Sequence, residues 1–93
     1  MKVVYTTEAL ADLDRILNYI ANHYPAISEA FQYRFHAVVA RVARWPESAQ
    51  EVAERPGVRV VPLIRYPYKI FYQISGETIE ILYVHHAARE ETR

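Results

Sequence analysis

The feature that most constrains this chain is a pair of alternating apolar runs joined by a tight turn signal. YKIFYQI (Tyr68 to Ile74) places Tyr68, Ile70, Tyr72 and Ile74 on one side of an extended segment, with Lys69, Phe71 and Gln73 on the other. TIEILYVHH (Thr78 to His86) repeats the period, with Ile79, Ile81, Tyr83 and His85 on one side and Glu80, Leu82, Val84 and His86 on the other. Side chains alternate across a strand, so a period of two is the signature of a strand with one buried face. Ser75 and Gly76 supply turn chemistry between the runs. The two runs predict a β-hairpin, and its apolar face needs a second layer to cover it.

The preceding residues supply that layer. KVVY (Lys2 to Tyr5) is β-branched and aromatic, which predicts a short first strand. Thr6 or Thr7 can cap a following helix, with Glu8 at its positive end. Leu10, Leu13, Leu17, Ile20 and Tyr24 recur at helical spacing, which predicts a core stripe and leaves Glu8, Asp12, Arg15 and Tyr19 on the solvated side. Pro25 ends this helix, because the residue before a proline resists the helical conformation, and suits the start of the next. Phe31, Phe35, Val38, Val42 and Trp45 form the second stripe, up to Pro46. So short a turn between amphipathic helices implies an antiparallel helical hairpin. ESAQEVAERPG is polar and predicts a loop. VRVVPLI (Val58 to Ile64) is a further strand, and Pro62, which cannot donate a ladder hydrogen bond, places it at a sheet edge. The order β-α-α-β-β-β predicts an α+β fold in a single domain over residues 1–93, an antiparallel sheet packed on a helical hairpin.

Composition narrows the chemistry. With no cysteine, disulfides, thiolate catalysis and cysteine–zinc sites are excluded. No apolar run approaches the ~20 residues that a membrane span needs, and no leader pattern opens the sequence, so a soluble cytoplasmic protein with no membrane role is expected. Eleven basic residues balance eleven acidic ones, which argues against a surface that grips phosphates over its whole extent. Four histidines without carboxylate–histidine spacing give no reason to expect a metal or another cofactor.

The C-terminal third carries a resemblance. Arg59 in a strand is followed by Tyr68, Ile70 and Tyr72 at alternating positions, then by Ile79, Ile81, Val84, His86 and Arg89. With ALADLDRILNYI in the first helix and this element order, the chain resembles the RelE/ParE superfamily of bacterial type II toxins, over nearly its whole length. The resemblance implies a toxin neutralised by a cognate antitoxin protein in a hetero-oligomeric complex. One branch of that superfamily cleaves messenger RNA on the ribosome, whereas the ParE branch poisons DNA gyrase and is not known as a nuclease.

Metal-free RNA cleavage needs a base for the 2′-hydroxyl, cations for the developing phosphorane charge and an acid for the leaving oxygen. On the nuclease reading Arg89 would clamp phosphate, His86 would serve as acid or base, and Arg59 and Arg65 would add positive charge. His85 and His86 are adjacent on a strand, so at most one reaches a given site. The nuclease branch carries several lysines near its second strand and an aromatic after the final arginine. Here GVRVVPLIRYPYK is mostly apolar, and Glu90 and Glu91 follow Arg89, where they would repel RNA phosphates. These departures favour the ParE-like branch, with inhibition by protein–protein contact, and leave RNA cleavage as the alternative. A degenerate toxin that only binds antitoxin is a third reading. For target or partner binding the expected residues are Arg89, Tyr66 in the RYPY bend, Lys69, and Arg34 and Arg41 on the second helix.

Overall fold

The computed structural model describes residues 1–88. Strand β1 (Lys2–Tyr5) leads into helix α1 (Thr7–His23), and a 3-10 turn (Pro25–Ile27) runs directly into helix α2 (Ser28–Arg44). Strands β2 (Gln50–Glu51), β3 (Val58–Pro62), β4 (Tyr68–Ser75) and β5 (Thr78–His86) follow. The sheet order is β1-β5-β4-β3-β2. All neighbours are antiparallel except β1, which runs parallel to β5 through Lys2↔Thr78 to Tyr5↔Ile81. The two helices cover one face of the sheet, and no helix among the described residues is long and apolar enough to cross a membrane.

The expected α+β architecture is therefore present, with one addition. The polar segment after Pro46 contains β2, whose two residues pair with Val60 and Arg59. Strand β3 is thus second from the edge. Pro62 lies past the reach of β2, where β4 alone borders the strand, so the missing donor disrupts no second ladder.

The main core joins Phe31, Phe35, Val38, Val39 and Val42 of α2 to Ile70, Tyr72, Ile79, Ile81 and Val84 of the sheet. On α1 the buried face is Ala9, Asp12, Ile16 and Ile20, rather than the expected stripe through Leu10 and Tyr24. Leu10 is 54% exposed and Tyr24 56%. The cause lies at the helix N-terminus. The Thr6 hydroxyl accepts the Ala9 amide at 3.0 Å and donates to the Leu82 carbonyl at 2.6 Å. One turn on, the Asp12 carboxylate accepts the Val84 amide at 3.0 Å. These contacts set the rotation of α1 so that the small Ala9 faces the sheet. Trp45 also leaves its expected stripe. It caps α2 in a non-helical conformation ahead of Pro46, is 55% exposed and lies under the Arg44 guanidinium at 4.7 Å.

Strand β5 carries the largest departure from simple alternation. Tyr72 pairs with Ile81 and Phe71 with Tyr83, so Leu82 has no partner on β4 and forms a β-bulge. One extra residue exchanges the faces of everything beyond it. Ile79 and Ile81 face the helices together with Val84, while Tyr83 joins Phe71 and Val58 in a smaller cluster on the outer face. The expected grouping of Tyr83 and His85 with Ile81 is therefore corrected. The Leu82 carbonyl and the Val84 amide flank the bulge, and they are the groups that Thr6 and Asp12 satisfy.

Candidate functional site

At the end of the sheet where β3 turns into β4, the fold leaves a groove of about 840 Å³. One wall is the second half of α1 and the 3-10 turn, presenting Ile16, Tyr19, Ile20, Tyr24 and Ile27. The other is the β3–β4 turn and the start of β4, presenting Arg65, Tyr66 and Tyr68, with Val84 and His86 from β5 closing the base. The aromatic walls are braced from the core. Phe31, fully buried, meets Tyr66 edge-on at 5.3 Å and Tyr68 edge-on at 5.8 Å, and Tyr68 meets His86 edge-on at 5.4 Å. Burial, with the nearby Tyr19 second, pushes the Tyr68 hydroxyl above its ordinary range, and Arg15 partly opposes this. Arg15 itself is paired with Asp12 at 2.9 Å.

The turn that carries Arg65 is tight. The Tyr66 amide donates to the Leu63 carbonyl at 3.0 Å, and the Leu63 amide donates to the Tyr68 carbonyl at 2.9 Å. Arg65 occupies the third position of this turn with φ +84°, a conformation that favours glycine. An arginine there costs about 1 kcal/mol. Its guanidinium makes no hydrogen bond or ion pair among the described residues. Beside it Ile64 is 57% exposed.

The residues expected to form a nuclease site are dispersed. Arg65 and His86 do share the groove. Arg59 does not reach it, because its guanidinium donates to the Ala49 carbonyl at 2.7 Å and the Glu47 carbonyl at 3.3 Å. Arg59 pairs with Tyr72, whereas His86 pairs with Tyr68. Four positions along a strand separate these pairs by roughly 13 Å. Arg89, expected as the phosphate clamp and as a partner contact, lies outside the described residues. His85 and His86 do fall on opposite faces, His85 packing against Phe71 and Tyr83 and His86 against Tyr68.

The residues expected to bind a partner are also divided. Arg34 lines a cleft of about 360 Å³ with Glu29, Tyr33, Arg65 and Tyr66, adjoining the groove at Arg65. Arg41 and Lys69 line a different cleft with Trp45 and Pro62. Tyr66, expected as an exposed aromatic, is half-buried against Phe31. Tyr19 is exposed as expected, whereas Tyr24, expected in the core, is exposed beside it on the groove wall. The eight tyrosines were the available signal, but nothing local says which of them share a wall.

Two further polar clusters are present. On the outer face Arg55 donates to the Tyr83 hydroxyl and lies over its ring at 5.3 Å. At the edge of β5, ligating atoms of Glu8, Asp12 and His85 lie within 4.8 Å of one another. Asp12 already accepts the Val84 amide and holds Arg15, which is the chemistry of a structural tether.

Comparison with known proteins bears on this arrangement. The sequence model of the family described as "ParE toxin of type II toxin-antitoxin system, parDE" matches residues 3–91. The chain belongs to the ParE toxin family. A curated relative, Toxin RelE2 of Caulobacter vibrioides, is 33% identical over 89 residues, covering 95% of this chain and 97% of that protein. Among solved structures, the chromosomal ParDE TA system from P. aeruginosa superposes with a TM-score of 0.79 at 26% identity, covering 92% of this chain and 95% of that one. The isolated E. coli RelE toxin shares the fold, with a TM-score of 0.60 at 17% identity over 97% of this chain and 87% of that one. As a ParE-family member the chain is a toxin of the type II toxin–antitoxin class, and its two helices on a five-stranded, mostly antiparallel sheet are the RelE/ParE fold.

Proposed function

We propose that this toxin acts in the cytoplasm by binding a protein target, DNA gyrase, and that a cognate antitoxin neutralises it in a hetero-oligomeric complex. The observation that carries the reading is the engagement of Arg59. A phosphate clamp needs its guanidinium facing an open site, and here that group serves the Glu47 and Ala49 carbonyls. Among the described residues, with Arg15 paired to Asp12, RNA cleavage would then rest on Arg65 and His86 at the groove, a lower cationic density than a phosphorane requires. The ParE-family match supports the same branch.

One observation favours the second reading, ribosome-dependent RNA cleavage. Arg65 and His86 share a groove, and an imidazole beside a guanidinium has the elements of acid–base chemistry on a phosphodiester. A supercoiling assay with purified gyrase and saturating folded toxin decides between them. Inhibition is the expected result. Full gyrase activity, with new codon-linked transcript ends on induction, would replace this reading with the nuclease one. Harmless expression with neither effect would leave a degenerate module that only binds antitoxin.

A further inference from the structure

We propose that Glu8, Asp12 and His85 form a binding site for a divalent transition metal of the Zn2+ class, which fastens the start of α1 to the end of β5. The site is independent of which target the toxin acts on.

Tertiary packing, and no spacing along the chain, assembles the donors. Strand β1 ends at Tyr5, opposite Ile81, so β5 runs on past it. The first turns of α1 take over that edge, where Thr6 and Asp12 serve the Leu82 carbonyl and the Val84 amide. Glu8 and Asp12 are four residues apart on α1 and so share a helix face. The bulge at Leu82 decides the side on which His85 emerges. One ligating atom from each of the three residues thereby lies within 4.8 Å of the other two.

Two of these donors are held in place. Asp12 and His85 are 6% and 7% exposed. The Val84 amide holds one Asp12 oxygen at 3.0 Å, the kind of outer hydrogen bond that orients a ligating carboxylate. The His85 ring stacks on Tyr83 at 4.3 Å and packs against Phe71 at 5.4 Å, which fixes its plane. Glu8 is exposed and can adjust. Bonds of about 2.0–2.2 Å put tetrahedral Zn2+ donors roughly 3.4 Å apart, so the cluster has to close by about 1.4 Å at most, a movement one glutamate side chain can supply.

The donor set selects the ion. One imidazole nitrogen with two carboxylate oxygens suits Zn2+ and its first-row neighbours, whereas Mg2+ and Ca2+ favour all-oxygen shells and the thiolates that select softer ions are absent from the chain. The cluster also has charge to offset. Carboxylates at i and i+4 repel each other, and among the described residues the cation paired with them is Arg15, at 2.9 Å from the second Asp12 oxygen. The Arg15 side chain is 64% exposed, so water screens the pair and a dication that meets all three donors can displace it. Water completes the coordination of an ion with three protein ligands.

The test is calorimetry of zinc chloride into the purified full chain, free of any affinity tag, with Tm measured in parallel. One Zn2+ per chain is expected, with a rise in Tm, because an ion that binds the folded state stabilises it. Glu8→Gln is expected to keep a metal-free Tm close to wild type and to bind about tenfold more weakly or worse. Arg15→Ala, which removes the competing cation, is expected to bind more tightly. His23→Ala, at an exposed histidine at the other end of α1, is expected to bind as wild type does. Co2+ in place of Zn2+ should give visible absorption bands that Glu8→Gln loses or shifts. Absence of stoichiometric Zn2+ binding by the wild type overturns the site, as does wild-type affinity in Glu8→Gln or lost binding in His23→Ala. An equal rise in Tm with Mg2+ would show screening of two carboxylates and no selective site, and would overturn it too.

Discussion

Arg59 and Arg65 lie six positions apart, near the two ends of one β-hairpin, and the fold uses them in opposite ways. At the Arg59 end, polar groups satisfy one another. Arg59 donates to the Glu47 and Ala49 carbonyls, and the Tyr72 hydroxyl donates to the Pro46 carbonyl at 2.7 Å. These bonds hold the chain leaving α2 against the sheet. At the Arg65 end the backbone is strained, the guanidinium has no partner among the described residues, and three exposed apolar side chains line the facing wall. The first end is closed structure and the second an open surface. Formal charge does not distinguish them, because both are arginines in apolar strand or turn contexts. What differs is which carbonyls the fold brings within reach.

The contrast can be broken most severely from the core side. Phe31 braces Tyr66 and Tyr68, so Phe31→Ala should cost about 4 kcal/mol and loosen the groove wall while leaving the Arg59 end paired. Chemical denaturation gives the first quantity, and hydrogen exchange at Tyr66 and Tyr68 against Ala49 and Gln50 gives the second. Equal loosening at both ends would show that the two are not independent. Next in size is Asp12→Ala. It strands the buried Val84 amide beside the bulge, at a cost of about 2 kcal/mol. Asp12→Asn, which keeps an acceptor, should recover part of this; if it recovers nothing, the carboxylate acts through charge and not through the amide.

Arg59→Ala should cost about 1.5 kcal/mol while leaving antitoxin affinity and growth arrest unchanged, as measured by denaturation, calorimetry and an induction assay. Loss of toxicity in a folded Arg59→Ala protein would move Arg59 from the structural end to the functional one. The smallest effect belongs to Tyr72→Phe, which removes one hydrogen bond and about 1 kcal/mol. Its pH dependence is the sharper measurement. Burial, the leading cause, raises the Tyr72 hydroxyl above its ordinary 10.0, with Arg59 partly opposing it. The neutral form is thus favoured in the folded state. That contribution is complete below pH 10 and is lost as pH rises through the folded value. Urea titrations from pH 8 to 11 should show stability falling above 10, less steeply in Tyr72→Phe. Parallel curves would mean that Tyr72 is not among the groups responsible.

Much of the fold is legible in the sequence because its signals are local. Lys2–Tyr5 is the first strand as expected, the two helices end at the prolines that limit them, and the β4–β5 hairpin turns around Gly76, at φ +61°. Misreadings occur where a distant group overrides a local pattern. The Leu10 stripe is plausible helical periodicity, yet Thr6 and Asp12 rotate the helix onto Ala9. Trp45 continues a stripe that its helix does not complete. Of the groove residues, Arg65, Tyr66 and His86 were singled out in the sequence, though not as one group. Tyr19 and Tyr24 were not, since a groove wall is shared by elements far apart in sequence.

By itself, then, the sequence determined the order of the two helices and of every strand but β2, the layered α+β architecture and the toxin family, because periodicity, turn residues and family motifs all lie within short windows. The tertiary structure decided three other things. It placed the bulge at Leu82, which reverses the faces of Tyr83 through His86. It set β1 parallel to β5 across more than seventy residues of chain. It closed one arginine onto backbone carbonyls and left the other facing an open groove. Each depends on which hydrogen-bonding groups meet across the fold, and those partners are set by packing, which no short window of sequence contains.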